Sequence, residues 1–97
     1  MVEEKKEFSD VVFIGEKPFV NYLRSIELLL RTKNMPKIFI KARGKHMNKA
    51  IDLAEASKNK FCKDLDLKIG KVEISTENFE KEGKEFSVSC IEIVLNR

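Results

Sequence analysis

The sequence predicts a two-layer α/β sandwich, a four-stranded mixed sheet with two helices on one face, in the order βαβαββ. Two stretches, about 18–31 and 47–61, carry apolar residues at the spacing of an amphipathic helix. Each follows a short apolar run of strand character, and after Leu65 the period drops to two. A strand–helix–strand unit requires a right-handed crossover. The first two strands are therefore expected to be parallel, with the closing hairpin extending the same sheet.

Residues 1–9 are charged and aperiodic and are expected to form a flexible tail, leaving 10–97 as one domain. Val11-Val-Phe-Ile14 stops at Gly15 and reads as the first strand. Pro18 suits the first turn of a helix, where its missing N–H is no loss. Phe19, Val20, Leu23, Ile26 and Leu30 mark the expected buried stripe of that helix, and Asn34 and Pro36 break it. Lys37–Ala42 alternates as a second strand, and Arg43-Gly44-Lys45 forms the turn after it. The second helix has Met47, Ala50, Ile51, Ala54 and Phe61 on its expected face, with Leu53 near it. Lys49, Asp52, Lys58 and Lys60 are expected to be solvated.

Leu67 and Ile69, then Val72 and Ile74, alternate with a phase slip at Gly70-Lys71, the mark of a β-bulge. Thr76–Lys84 is polar and acidic around Gly83 and reads as a long hairpin loop. In the last strand, about Glu85–Leu95, Phe86 and Val88 fall on one phase and Ile91, Ile93 and Leu95 on the other. That strand needs either a second bulge or burial on two sides. The sheet face away from the helices needs a cover, and a second copy of the chain is the expected one, making a homodimer.

Composition excludes several classes. No apolar run reaches the roughly 18–20 residues of a membrane span, so no membrane partner is expected. The opening Met1-Val-Glu-Glu-Lys-Lys-Glu7 lacks the apolar segment of a secretory signal and is too acidic for a transit peptide, which makes the cytoplasm the expected location. Cys62 and Cys90, with the single histidine His46, offer no ligand spacing for zinc, and no cofactor is expected. Cys90 is expected in the core and Cys62 partly exposed. Catalysis has little to stand on: no acid lies near His46 in sequence, and Ser75, Ser87 and Ser89 have no evident partner base.

The net charge of +3 conceals an uneven distribution. Arg31–Lys63 holds ten Lys or Arg against two acids, whereas the rest of the chain holds nine bases against fourteen acids. Charge gathered on one segment is the electrostatic footprint of nucleic-acid proteins. The loops after the first two strands, Gly15-Glu16-Lys17-Pro18 and Arg43-Gly44-Lys45-His46, should leave the same sheet end and lead into helix N-termini, which attract phosphate. Lys17, Arg43 and Lys45 add full charges there, and Gly44 permits close backbone approach or a positive φ. Lys41 and Lys49 belong to the same basic run, and Lys81 and Lys84 extend the candidate set onto the hairpin.

Val11-Val-Phe-Ile-Gly-Glu-Lys-Pro-Phe-Val-Asn-Tyr22 and Ile38-Phe-Ile-Lys-Ala-Arg-Gly-Lys45 together resemble the archaeal Alba family of chromatin proteins. Lys49-Ala-Ile-Asp52, Asn59-Lys-Phe61 and Ile91-Glu-Ile93 match further family segments, so the likeness covers about residues 11–95. The resemblance implies a dimeric, non-enzymatic binder of double-stranded DNA and of RNA, with hairpin arms reaching along the minor groove. It makes Lys17 the principal basic contact, and Arg43 and Lys45 the basic pair flanking the loop glycine. Phe61 takes the place of an aromatic residue through which dimers pack side by side on DNA. Two departures stand out. Glu16 replaces the first lysine of the family's Lys-Lys pair, so the acetylation that regulates some members cannot act at this position. The arm Glu77-Asn-Phe-Glu-Lys-Glu-Gly-Lys-Glu85 carries four acids, which a phosphate-lined groove repels unless Lys81 and Lys84 face inward. Both departures predict weaker and more salt-sensitive coating of DNA than a typical member gives.

Two other readings compete: an RNA-binding protein or ribonucleoprotein subunit with weak DNA affinity, and a protein-interaction module built on the acidic hairpin and Phe61. Only Tyr22 and Phe79 are expected among the aromatic residues near the binding face, which argues against extensive base stacking.

Overall fold

The computed structural model describes residues 9–97, so the tail expected at 1–9 lies, apart from Ser9, outside the described residues. The chain runs β1 (Val11–Phe13), α1 (Phe19–Glu27), β2 (Lys37–Arg43), α2 (Met47–Ala56), β3 (Lys68–Lys81) and β4 (Lys84–Asn96). The four strands form one sheet in the order β1-β2-β4-β3. β1 is parallel to β2, as the crossover rule requires, and the remaining pairs are antiparallel. The register shift falls between Ile69 and Val72, where the phase slip at Gly70-Lys71 predicts a bulge.

The core lies on one side of the sheet. Val12, Ile38, Ile40, Ala42, Ile91, Ile93 and Leu95 are buried there, while their chain neighbours occupy the opposite face. Both helices supply the covering layer, but their buried stripes differ from those expected. In α1, Phe19 and Val20 are exposed, and Tyr22, Leu23 and Ile26 pack inward. Tyr22 can be buried because its hydroxyl accepts two backbone hydrogen bonds, described below. In α2, Ile51 and Phe61 are exposed, and Ala50, Leu53, Ala54 and Ser57 form the inward stripe. Those positions have the i, i+3, i+4, i+7 spacing of one helical face. The polar Ser57 hides the stripe in the sequence, and its buried hydroxyl makes no hydrogen bond.

Each helix widens into a π-helical turn at its end, Leu28–Thr32 and Ser57–Phe61. The first of these places Arg31 beside the second. The Arg31 guanidinium forms a two-pronged pair with Asp64 at 2.8 and 2.7 Å, meets Glu27 at 3.1 Å, and donates to the Phe61 carbonyl at 3.0 Å. Hydrogen bonding from Arg31 lowers the Asp64 pKa to about 2. Cys62, just after the turn, is buried rather than partly exposed, and desolvation raises its pKa. Cys90 is the half-buried cysteine, because it shares the phase of Phe86 and Val88 and faces away from the helices.

The hairpin departs most from expectation. Thr76–Lys84 is not a long loop: β3 and β4 pair without interruption up to Lys81 and Lys84, closed by the two-residue turn Glu82-Gly83. Both turn residues have positive φ, 51° and 76°, the geometry that suits right-handed strand twist. Because β2 ends at Arg43, opposite Cys90, the six pairs from Thr76–Ser89 to Lys81–Lys84 project beyond the sheet as a two-stranded arm. The arm carries polar and charged residues where a core-facing strand would alternate apolar ones, so its sequence lacks the usual strand signature. β4 contains no second bulge; Phe86 and Val88 lie on one face and Ile91, Ile93 and Leu95 on the other.

Candidate nucleic-acid interface

Three features meet at one sheet end. The loops after β1 and β2 leave it, because those strands are parallel, and the arm springs from it where β2 ends. The Gly15–Lys17 loop is held from within. Tyr22 Oη accepts the Gly15 N–H at 2.8 Å and the Lys17 N–H at 3.1 Å. Lys49 Nζ donates to the Gly15 carbonyl at 2.8 Å and the Lys17 carbonyl at 3.0 Å, and lies 5.5 Å from the centre of the Tyr22 ring. Lys49, expected in solvent, is half-buried and occupied in fixing this loop. The Lys17 side chain is exposed and its amine makes no ion pair among the described residues.

Gly44 has φ +59°, and a Cβ on it would stand 3.3 Å from Val88 Cγ2. The positive φ expected of this glycine is therefore present, and the space beside its Cα is closed by Val88 of the chain itself. Gly44–His46 forms a 3-10 turn that feeds α2. Neither helix has a side-chain cap or an acid in its first turn, so both N-termini keep their partial positive charge unshielded by their own residues.

The other bases meet carboxylates. Lys45 Nζ lies 3.4 Å and His46 Nε2 3.5 Å from Glu16 Oε2, the latter an ion pair only when the imidazole is protonated. Arg43 pairs with Glu77 at the base of the arm, and Lys41 with Glu92 at 3.7 Å. These pairs are exposed, so each contributes little to stability, about 0–1 kcal/mol.

The arm sorts its charges by face. Lys81 and Lys84, opposite each other, share the phase of Phe79, Phe86, Arg43, Lys41 and Phe13. Glu80 and Glu85, also opposite each other, lie on the reverse face with Asn78 and Ser87, which are joined by a 2.7 Å hydrogen bond. Phe79 and Phe86 stack with ring centres 5.5 Å apart. The only acid of this ribbon on the lysine face is Glu77, which Arg43 holds.

The aromatic expectation needs correction. Phe79 is exposed, but Tyr22 is buried, and Phe13 stands out on the open sheet face with 71% of its surface accessible. The sequence hid this because Phe13 sits inside an apolar run that reads as core. Phe61, far from this end in sequence and structure, is half-exposed with its carbonyl held by Arg31. Among the described residues no group of three or more His, Cys, Asp or Glu could hold a metal, and no helix is long and apolar enough to cross a membrane.

A helix-backed mixed sheet with basic loops and a projecting hairpin at one end defines a small two-layer α/β module. The chain belongs to the Alba family, whose model matches residues 10–79. It is 41% identical to the DNA/RNA-binding protein Alba of Picrophilus torridus, covering 91% of this chain and 96% of that one. The protein of the same name from Thermoplasma acidophilum is 39% identical at the same coverage. Among solved structures, Alba from Thermoplasma volcanium superposes with a TM-score of 0.78 at 39% identity, covering 90% of this chain and 99% of that one. ALBA1 from Trypanosoma brucei, at 17% identity and a TM-score of 0.66, shares the fold and covers 94% of this chain and 72% of its own.

Proposed function

We propose that this chain is a non-enzymatic, archaeal chromatin-type protein that binds double-stranded DNA through its backbone phosphates and also binds RNA. The observation that carries this reading is the meeting of Lys17, Arg43, Lys45 and the lysine face of the arm at one sheet end, beside two uncapped helix N-termini. Related proteins named for DNA and RNA binding support it. In this reading Lys17 makes the first phosphate contact, the Gly44 backbone approaches the strand, and Lys41, Arg43 and Lys45 exchange carboxylate partners for phosphates. Lys81 and Lys84 turn toward the groove while Glu80 and Glu85 face solvent. Lys49 acts indirectly, by shaping the loop that presents Lys17.

The working unit is a homodimer, acting on the nucleoid in the cytoplasm. Val72 and Ile74 are exposed apolar residues on the helix side of β3, Ile74 at 77%, and they support pairing of two copies across that edge. Phe61 serves contacts between neighbouring dimers on DNA.

Titration of duplex DNA and duplex RNA at several salt concentrations tests the reading. Lys17→Ala is expected to remove one phosphate contact per subunit and flatten the log–log salt slope by about one unit, without unfolding the chain. An unchanged slope overturns the site. Firm RNA binding beside a weak, flat DNA response moves the chain to the ribonucleoprotein reading, and salt-independent behaviour with both moves it to a protein-interaction module.

A further inference from the structure

Phe13 is placed where a buried residue is expected and is not buried. It lies in β1, opposite Lys41 of β2, on the sheet face that the helices leave uncovered. Its ring separates two shallow grooves. The one beside the β1 edge is lined by Lys17, Asn21, Arg24 and Ser25 together with Phe13, and contains no acid. The one across the open face is lined by Phe13, Lys41 and Arg43 among others, and its carboxylates are all paired: Glu92 with Lys41, Glu77 with Arg43, and Glu73 with Lys71 at 3.4 Å. Lys41 Nζ is 5.9 Å from the centre of the Phe13 ring. An exposed aromatic face thus sits between Lys17 and Arg24 on one side and, on the other, Lys41 and Arg43, each of which must exchange a carboxylate for a phosphate.

Duplex DNA has little use for such a ring, since its bases are already stacked on one another. A flat, exposed aromatic residue flanked by cations fits an unpaired base, whose π-face stacks on the ring while its neighbouring phosphates meet the amines. Sheets that present aromatic residues on an open face are a recurring way of holding single-stranded RNA, whose loops and bulges supply unstacked bases as duplex DNA does not.

We propose that Phe13 is a base-stacking platform for single-stranded RNA, with Lys17 and Arg24 holding the phosphates on one side of the stacked base and Lys41 and Arg43 those on the other. This site rests on the nucleic-acid-binding reading above, but adds a ligand and a residue that backbone contact to a duplex does not need. The stacked pair Phe79–Phe86 shares this face and extends the apolar surface along the arm.

The test compares the unaltered chain with Phe13→Ala, Phe13→Tyr and Lys17→Ala, using an unstructured oligouridylate, a duplex RNA and a duplex DNA as probes. Phe13→Ala is expected to weaken oligouridylate binding by roughly 5- to 150-fold, the usual loss of one stacked base, and to leave both duplexes unchanged. Phe13→Tyr keeps the ring and should retain binding, and an oligouridylate carrying a single 2-aminopurine should lose its fluorescence quenching only in the alanine variant. Lys17→Ala should weaken all three probes. Equal losses on single strand and duplex with Phe13→Ala, or no loss on the single strand, overturn the proposal while leaving the duplex reading intact. Failure of Lys17→Ala to change any probe overturns the duplex reading instead. Sedimentation and thermal melting of Phe13→Ala complete the test. Loss of the oligomer would assign this face to a second copy and overturn the proposal, whereas an unaltered oligomer and melting temperature support it.

Discussion

The β1–α1 loop and the hairpin arm both carry lysines toward the same sheet end, yet they are built on opposite principles. The loop is fixed by the interior: the hydroxyl of buried Tyr22 and the half-buried Lys49 amine bind its backbone groups across gaps of up to 34 residues in sequence. Beyond its base, where Arg43 holds Glu77 and Gly44 lies close to Val88, the arm is fixed by itself, through a two-residue turn, one stacked aromatic pair and one side-chain hydrogen bond. A two-stranded ribbon of that kind is marginally stable alone. Stiffness at the loop therefore depends on the global fold, and stiffness at the arm on local chemistry. The loop can fix the position of one phosphate contact, while the arm can follow the groove it meets.

Breaking each region separates these dependences. The largest effect is expected from Tyr22→Phe, which leaves the Gly15 and Lys17 N–H groups without their acceptor in a part-buried site. A loss of about 1–3 kcal/mol in chemical denaturation is expected, together with weaker duplex binding. Binding lost without a change in stability would mean that the loop is not anchored through this hydroxyl. Gly83→Ala comes next. At φ 76° a Cβ costs about 1–2 kcal/mol, but the cost should stay local. Hydrogen exchange of the arm amides should accelerate while the melting temperature of the body stays nearly constant. A global loss would show that arm and body unfold together.

The smallest effect concerns the Arg31 clamp, at neither region, and serves as the control. Arg31 lowers the Asp64 pKa from 3.8 to about 2, so the pair's contribution is fully present above about pH 4 and is lost as pH falls through about 2. In Asp64→Asn the dependence of stability on pH between those limits should be shallower, with duplex affinity at neutral pH unaltered. An identical acid profile in both chains would remove Asp64 from the fold's acid response.

Legibility in the sequence follows the range of the interactions. The element order, the parallel first pair, the bulge near Gly70 and the positive φ of Gly44 are all set by local pattern, and each is legible. The inward faces of the helices are less so, because Ser57 breaks the apolar stripe and Ile51 imitates it. The arm is expected from the family resemblance but not from periodicity, which reads a loop there, because a strand that covers nothing has no apolar alternation to display. The roles of Lys49 and Tyr22 were invisible, since both come from contacts between elements distant in the chain. Lys17, Arg43 and Lys45 could be placed at one sheet end from topology alone, but not the carboxylates that meet two of them.

Those carboxylates also govern what happens to small ions. A lysine that reaches a phosphate from bulk solvent releases a condensed cation from the nucleic acid and gains the corresponding entropy. When Arg43, Lys45 or Lys41 makes the same move, it abandons Glu77, Glu16 or Glu92, and the bared carboxylate draws a cation back. Net ion release per contact falls, and the salt dependence becomes flatter than the number of contacting bases suggests. This exchange works against the more salt-sensitive coating expected from the acidic departures, and the salt titration of duplex DNA decides which of the two prevails. On the proposed reading, the slope then counts chiefly the contacts, Lys17 first, that leave no carboxylate behind.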